Sequence, residues 1–222
     1  MNQIKALLKH KYQTKQFTGK GASKTVELIG AKFLANSPCF FGKPNEEYIK
    51  AEIAWYESQS LNVNDLAKIY GKRVAIWDSV ADSNGLINSN YGWCIYSDEN
   101  NNQFYNAVTT IENNPDSRQA SMIYTRPTMH IDSRKNGKSD FMCTNAVTYY
   151  YRNGKVDAVV QMRSNDIVYG YNNDYAWQTH VLSKLCITLT SRGLKAEPGL
   201  IHWNAGSLHI YERHFHYLEE LE

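Results

Sequence analysis

The chain has 222 residues, with 24 Lys and Arg against 22 Asp and Glu and a net charge of +2. That balance excludes a general nucleic-acid or membrane-surface binder, which needs a strong basic excess, and no apolar run reaches membrane-spanning length. The four cysteines, Cys39, Cys94, Cys143 and Cys186, are far apart with no Cys-x-x-Cys pair, so reduced thiols in a cytoplasmic protein are expected.

The opening residues, MNQIKALLKHKYQTKQF, lack the apolar stretch and small-residue cleavage site of a secretory leader. Residues 24–34, KTVELIGAKFL, mix β-branched and apolar side chains and predict a strand. Pro44 and Asn45 open a predicted helix with Ile49, Ile53 and Tyr56 on one face. A second helix is predicted over residues 101–112, with Phe104, Val108 and Ile111 as its apolar stripe. NNPDSR ends it in a turn, and SMIYTRP reads as a strand stopped by Pro127. Two β-rich runs then flank Asn153-Gly154, the strongest short hairpin signal, so Cys143 falls in the outgoing strand and Arg163 in the returning one. A helix follows, capped by Asn172 or Asn173, striped with Trp177, Val181 and Leu185 and stopped by Gly193. Residues 199–218, GLIHWNAGSLHIYERHFHYL, read as extended. With no repeat and no linker, the pattern predicts one α+β domain over residues 1–222, a mainly antiparallel sheet covered by long helices.

Several side chains carry chemistry. A thiol beside a guanidinium is biased towards thiolate, so Cys143 near Arg163 is a candidate nucleophile; the plainer reading is a small buried hydrophobe. Arg118, Arg163 and the Ser164 hydroxyl can converge on a phosphate, against the plainer reading of surface ion pairs. His209, His214 and His216 have a spacing that invites a metal, but acidic or cysteine partners are not nearby in sequence. His209 and Tyr211 share one side of a strand and can hydrogen-bond a sugar hydroxyl. Glu52, beside Ile53 and Trp55, would have a raised pKa if buried and could order water or move protons; the alternative is an exposed helical glutamate. Residues 162–178, MRSNDIVYGYNNDYAWQ, set Arg163, Asp166 and Asp174 at a strand–helix junction, where packing alone asks for no cation and two carboxylates.

Taken together, SDFMCTN, QMRSNDIVYGYNNDYA, NPDSR, GSLHIYERH and AIWDSVADSNGLINSNYGW resemble, in order and spacing from about Lys20 to His214, the thymidylate synthase family. Within it, INSNYGW, MIYTRP and NDYAWQ look most like the branch, found in T-even phages, that hydroxymethylates deoxycytidylate. The resemblance implies a sheet-mediated homodimer with no metal, and dCMP as substrate. Cys143 would add to carbon 6 of the pyrimidine, and 5,10-methylenetetrahydrofolate would supply a one-carbon unit to carbon 5. Water would then add in place of hydride, giving 5-hydroxymethyl-dCMP. Glu52 would relay protons. Asp174, where thymidylate synthase has Asn, would accept from the cytosine amino group and repel uracil's carbonyl. Trp77, Tyr91, Asp166 and Gly170 would line the folate side. Lys20 would lie near the phosphate, and Arg118 would reach the partner's phosphate site.

The sequence also departs from the family. Thr144 and Gln119 replace a His and an Arg, Asn173 replaces an aromatic, and the chain ends before the family's closing tail. The resemblance leaves open dUMP methylation or hydroxymethylation, a ribonucleotide substrate, and a non-catalytic nucleotide- or RNA-binding homologue.

Overall fold

A five-stranded sheet organises residues 1–221, the part of the chain that the computed structural model describes. Its strands are β1 (Thr25–Leu34), β2 (Ser121–Ile123), β3 (Thr144–Arg152), β4 (Lys155–Asp166) and β5 (Glu197–Tyr211), in the spatial order β1-β5-β4-β3-β2. β4 and β5 run parallel and every other neighbouring pair is antiparallel. The β3–β4 hairpin turns on Asn153 and Gly154, both at positive φ (51° and 79°), the two left-handed positions that a two-residue hairpin of this hand requires.

The helices are α1 (Asn2–Gln13), α2 (Glu46–Glu57), α3 (Val63–Tyr70), α4 (Ala75–Val80), α5 (Tyr91–Tyr96), α6 (Gln103–Asn113), α7 (Met129–Asp132), α8 (Gly170–Ser191) and α9 (His216–Glu219). α8 packs on β4 and β5 and buries Trp177, Val181, Leu182, Leu185 and Leu189. Trp55, Trp177, Trp203, Tyr149 and Tyr171 are among the largest fully buried side chains, so much of the abundant aromatic content is core. Among the described residues no helix is long and apolar enough to cross a membrane.

Local differences from expectation have physical causes. α2 buries Ala51, Glu52, Trp55 and Tyr56, one step round from the predicted stripe, because the wide aromatic rings claim the interior and leave Ile49 and Ile53 half-buried. α8 begins at Gly170, two residues before the predicted caps, and Asn172 and Asn173 lie in its first turn. The strand predicted through SMIYTRP is only three residues long. Six helices, α1, α3, α4, α5, α7 and α9, were not predicted, five of them eight residues or shorter, and α9 begins within the stretch expected to be extended, because β5 ends at Tyr211.

One line across the sheet interrupts the pleat. Gly30 lies at φ 69° opposite Gly206, and a Cβ on Gly206 would stand 2.7 Å from the Arg163 carbonyl oxygen. The β3–β4 register shifts between Thr144 and Ala146 at the same level. Burial alternates as Val156, Ala158, Val160, Met162 up to this line and then changes phase at Asn165. β5 does the same, from Ile201, Trp203, Ala205 to Leu208 and Ile210. Such breaks re-aim side chains, and the chemistry-bearing residues cluster beside this one.

Candidate active site

Cys143 sits in a bend immediately before β3, not within the strand as expected. The bend is held from both sides. The Arg163 backbone N–H donates to the Cys143 carbonyl at 2.7 Å. The Arg163 side chain donates from Nε to the Met142 carbonyl at 3.2 Å and from Nη2 to the Phe141 carbonyl at 3.4 Å, with its guanidinium 5.0 Å from the Phe141 ring centroid. On the other side, buried Asp140 accepts from the Asn88 amide at 2.7 Å, Asn88 Nδ2 at 3.0 Å and Ser89 Oγ at 2.6 Å. Tyr91 Oη accepts from the Thr144 amide at 3.2 Å.

Arg163 Nη2 lies 3.8 Å from Cys143 Sγ. The proximity was predicted, but its expected consequence is corrected. Burial pushes the thiol up to about 11, the Asp174 carboxylate adds to the rise, and Arg163 offsets only part of it. At neutral pH the free protein holds a thiol.

Glu52 projects from α2 into the interior, 5% exposed. Tyr48, one helical turn earlier, donates its hydroxyl to Glu52 Oε1 at 2.6 Å. Trp77 on α4 donates its indole N–H to Tyr48 Oη at 2.9 Å and to Glu52 Oε1 at 3.3 Å. Burial raises Glu52 to about 7, opposed by hydrogen bonds from Tyr48, Trp77 and Tyr56. A carboxyl poised there can give or take a proton near neutral pH.

Asp174 lies one turn into α8. Asn165 Nδ2 donates to Asp174 Oδ2 at 2.8 Å, and Asn165 Oδ1 accepts from Trp203 Nε1 at 3.2 Å. Burial, and then the Glu52 charge, hold Asp174 well above the ordinary carboxylate range, against the pull of Asn165. Asp166 caps the turn into α8, its two oxygens accepting from the Val168 and Tyr169 amides at 3.2 Å each. Gly170 keeps this corner open, since a Cβ there would meet Asp166 Cβ at 3.3 Å, Asn165 Nδ2 at 3.4 Å and Asp174 Oδ2 at 3.8 Å.

At the same end of the sheet His209 and Tyr211 on β5 meet edge to face at 5.0 Å. Burial lowers the His209 pKa, so it is a neutral hydrogen-bonding group at pH 7. Its Nδ1 is 3.5 Å from Ser207 Oγ, which donates to Glu27 at 2.6 Å. Ser164 is half-buried opposite Ser207. Lys20 is exposed in the loop before β1, whose first residue pairs with Tyr211.

The structure therefore brings together Cys143, Arg163, Asp174 and Glu52, with Asp166, Gly170, His209 and Tyr211 around them. Tyr91 is only 5% exposed and lies beneath the nucleophile, with little surface left for a ligand. Arg118 is exposed and apart. Two residues beyond it, the Ala120 carbonyl accepts from Tyr149, which is five residues along β3 from Thr144, roughly 17 Å at a strand's rise. Among the described residues no three His, Cys, Asp or Glu side chains gather as a metal site. Sequence reasoning missed Asn165, Tyr48 and Asp140. Tyr48 had a signal, its spacing of four from Glu52; Asn165 did not, because strict alternation from Met162 would face it away from the core.

The thymidylate synthase family model matches residues 4–221. Over 204 residues the chain is 51% identical to the deoxycytidylate 5-hydroxymethyltransferase of Enterobacteria phage T4, covering 90% of this chain and 81% of that protein. The enzyme of the same name from Enterobacteria phage T6 matches with the same identity and coverage. The thymidylate synthase of Wigglesworthia glossinidia brevipalpis is 27% identical over 197 residues, 83% of this chain and 65% of that one. Among solved structures, thermostable thymidylate synthase A from Bacillus subtilis superposes with a TM-score of 0.68 at 23% identity, covering 88% of this chain and 70% of that chain, a likeness of fold.

Proposed function

The chain belongs to the thymidylate synthase family, and from that premise we propose that it is a deoxycytidylate 5-hydroxymethyltransferase, with dCMP as substrate and 5,10-methylenetetrahydrofolate as one-carbon donor. The observation that carries the base assignment is the Asp174 carboxyl, close enough to Cys143 to raise its thiol and backed by Asn165. A carboxyl whose bare oxygen is held opposite position 4 of the ring accepts from the cytosine amino group and shares a proton with ring nitrogen 3; facing uracil, that held oxygen is set against the carbonyl oxygen. Sites that read polar edges in this way discriminate by about 10⁴ or more. This favours dCMP over dUMP, and the thiol in a braced bend favours an enzyme over a binding module.

In this reading Cys143 Sγ bonds to carbon 6 of dCMP and loses its proton as it does so. Carbon 5 becomes nucleophilic and takes up the one-carbon unit, which the folate supplies as an electrophile. Loss of the proton on carbon 5 and departure of tetrahydrofolate leave an exocyclic methylene; water adds its hydroxyl there, and Cys143 then leaves carbon 6 as the ring double bond reforms, giving 5-hydroxymethyl-dCMP. Glu52, with its pKa near 7, holds that water and moves its proton. Arg163 and Ser164 hold the phosphate, with Lys20 nearby. His209 and Tyr211 hydrogen-bond the sugar.

The fold corner offers what a planar folate ring needs. Gly170 leaves space, each Asp166 oxygen keeps a lone pair after capping the turn, and the half-buried Trp77 ring lies beside Glu52, tied to it by its N–H. Trp77, Asp166 and Gly170 would hold it, with Tyr91 behind the nucleophile. A homodimer through the sheet is supported by exposed Ile29, Leu34 and Ile123 on the edge strands, and by the shallow groove lined by Lys32, Gln161, Asn204 and Gly206. Arg118 would act across that interface. That its relatives are phage enzymes supports a reaction in an infected bacterium's cytoplasm.

The test is incubation with methylenetetrahydrofolate and dCMP or dUMP, read by product mass. A hydroxymethyl gain on dCMP alone, lost in Cys143→Ala, supports the reading. A methyl gain with dihydrofolate release overturns it.

A further inference from the structure

Asn165 is 2% exposed and sits between two groups whose hydrogen-bonding roles are unequal. Trp203 Nε1 can only donate. The atom of Asn165 that faces it at 3.2 Å is therefore the carbonyl Oδ1, and the amide cannot be turned round. Trp203 is itself fixed, fully buried and packed against Tyr171 at 5.3 Å and Phe33 at 6.4 Å. Asn165 Nδ2 must then face Asp174, and an amide nitrogen only donates. Asp174 Oδ2, 2.8 Å away, is held as an acceptor whatever the state of the carboxyl. If the carboxyl carries a proton, that proton belongs on Oδ1, because the carbonyl oxygen of an acid is the better acceptor.

This has a consequence for base choice. A free carboxylic acid is ambiguous. With its proton on one oxygen it matches cytosine: the bare oxygen accepts from the amino group and the hydroxyl donates to ring nitrogen 3. With the proton moved to the other oxygen it matches uracil equally well: the hydroxyl donates to the carbonyl and the bare oxygen accepts from the ring N–H. A carboxyl at position 174 is thus insufficient to reject uracil. We propose that Asn165, oriented by Trp203, is a specificity-determining positioning residue: its donation favours the bare oxygen at Asp174 Oδ2 and, with Oδ2 set at the cytosine amino group, disfavours the arrangement that would accept uracil. This rests on the reading of Asp174 as the base-contacting group. It adds a residue that touches neither base nor folate.

The test compares dissociation constants for dCMP and dUMP, by calorimetry without folate, in wild type, Asn165→Leu and Asp174→Asn. Asn165→Leu removes the donor and frees the proton to move. The ratio of dUMP to dCMP dissociation constants should fall at least about tenfold, because a tautomer matched to uracil becomes available. The double variant Asn165→Leu/Trp203→Phe replaces both partners by apolar groups of similar shape and leaves no buried donor orphaned. It should show the same fall, and it carries the test if the single variant does not fold. Equal weakening for both nucleotides, with the ratio unchanged, would reduce Asn165 to a packing role and overturn the inference. Asp174→Asn separates the two levels. If it too leaves the ratio unchanged, the base-reading role of Asp174 has failed; if it alters the ratio while Asn165→Leu does not, only the inference about Asn165 has failed.

Discussion

The Arg163 guanidinium stands 3.8 Å from the Cys143 sulfur, yet the thiol is raised to about 11. Burial outweighs the cation, and Asp174 pushes in the same direction as burial. The nucleophile is held ready but protonated, and its proton has to leave as the bond to substrate forms.

The pH profile of Cys143 alkylation in the nucleotide-free protein checks this directly. Reactivity should climb through the alkaline range towards about 11. Asp174→Asn should move the midpoint down, because a neighbouring negative charge is removed. Arg163→Gln should move it up, because the stabilising cation is lost. A profile centred near 8.5, the ordinary cysteine value, would contradict the burial argument. Cys143→Ala should lower turnover by at least about 10⁴-fold.

Glu52 should make stability depend on pH. Its folded pKa of about 7 is raised from the ordinary 4.5, so its contribution is fully present below pH 4.5 and is lost as pH rises through 7. Glu52→Gln removes that loss. The variant should gain on wild type as pH increases from 5 to 8.5, by up to on the order of 3 kcal/mol, in urea unfolding at each pH. Its hydroxymethylation rate should fall at every pH.

Asp140 braces the nucleophile bend by accepting from Asn88 and Ser89. Asp140→Ala strands these buried donors and should cost about 3 kcal/mol in denaturant unfolding. It should also lower kcat, because the bend carrying Cys143 loses its anchor. Asp140→Asn keeps an acceptor and should recover part of both losses.

If Arg118 acts across a dimer interface, Arg118→Ala and Cys143→Ala should each be nearly inactive alone. Refolded together at equal concentration, they should regain about one quarter of wild-type activity, since half the dimers are mixed and each mixed dimer has one complete site. No recovery, with mixed dimers present, would place Arg118 outside the phosphate site.

The hairpin at Asn153-Gly154, the helices over α2, α6 and α8, and the sheet-plus-helix class were legible because each rests on local chemistry: turn residues, caps and apolar spacing. The order of motifs also carried Cys143, Arg163, Asp174 and Glu52. What was not legible depends on tertiary setting. The α2 stripe moved because Trp55 and Tyr56 outcompete smaller side chains for the interior. The ionisation of Cys143 was misjudged because sequence shows that Arg163 is near but not how dry the site is. Asn165 was missed because its burial depends on a change of phase that no period-two reading of β4 contains.

That change of phase governs which insertions and deletions the chain can accept. On β4 and β5 the residues before Arg163 and Gly206 face the core on one parity, and those after them on the other. Gly206 permits the close approach to the Arg163 carbonyl, so Gly206→Ala should cost roughly 1–3 kcal/mol. Removing one residue from β4 ahead of Arg163 would turn the core-facing residues between the cut and the hairpin to the wrong face, a loss of packing that leaves the spacing from Arg163 to Asp174 intact. Removing one between Arg163 and Asp166 would turn Asn165 outward and carry Asp174 out of line with Cys143. Indels on the hairpin side of this boundary should therefore cost stability, and those on the other side should be lethal to chemistry even where the protein still folds.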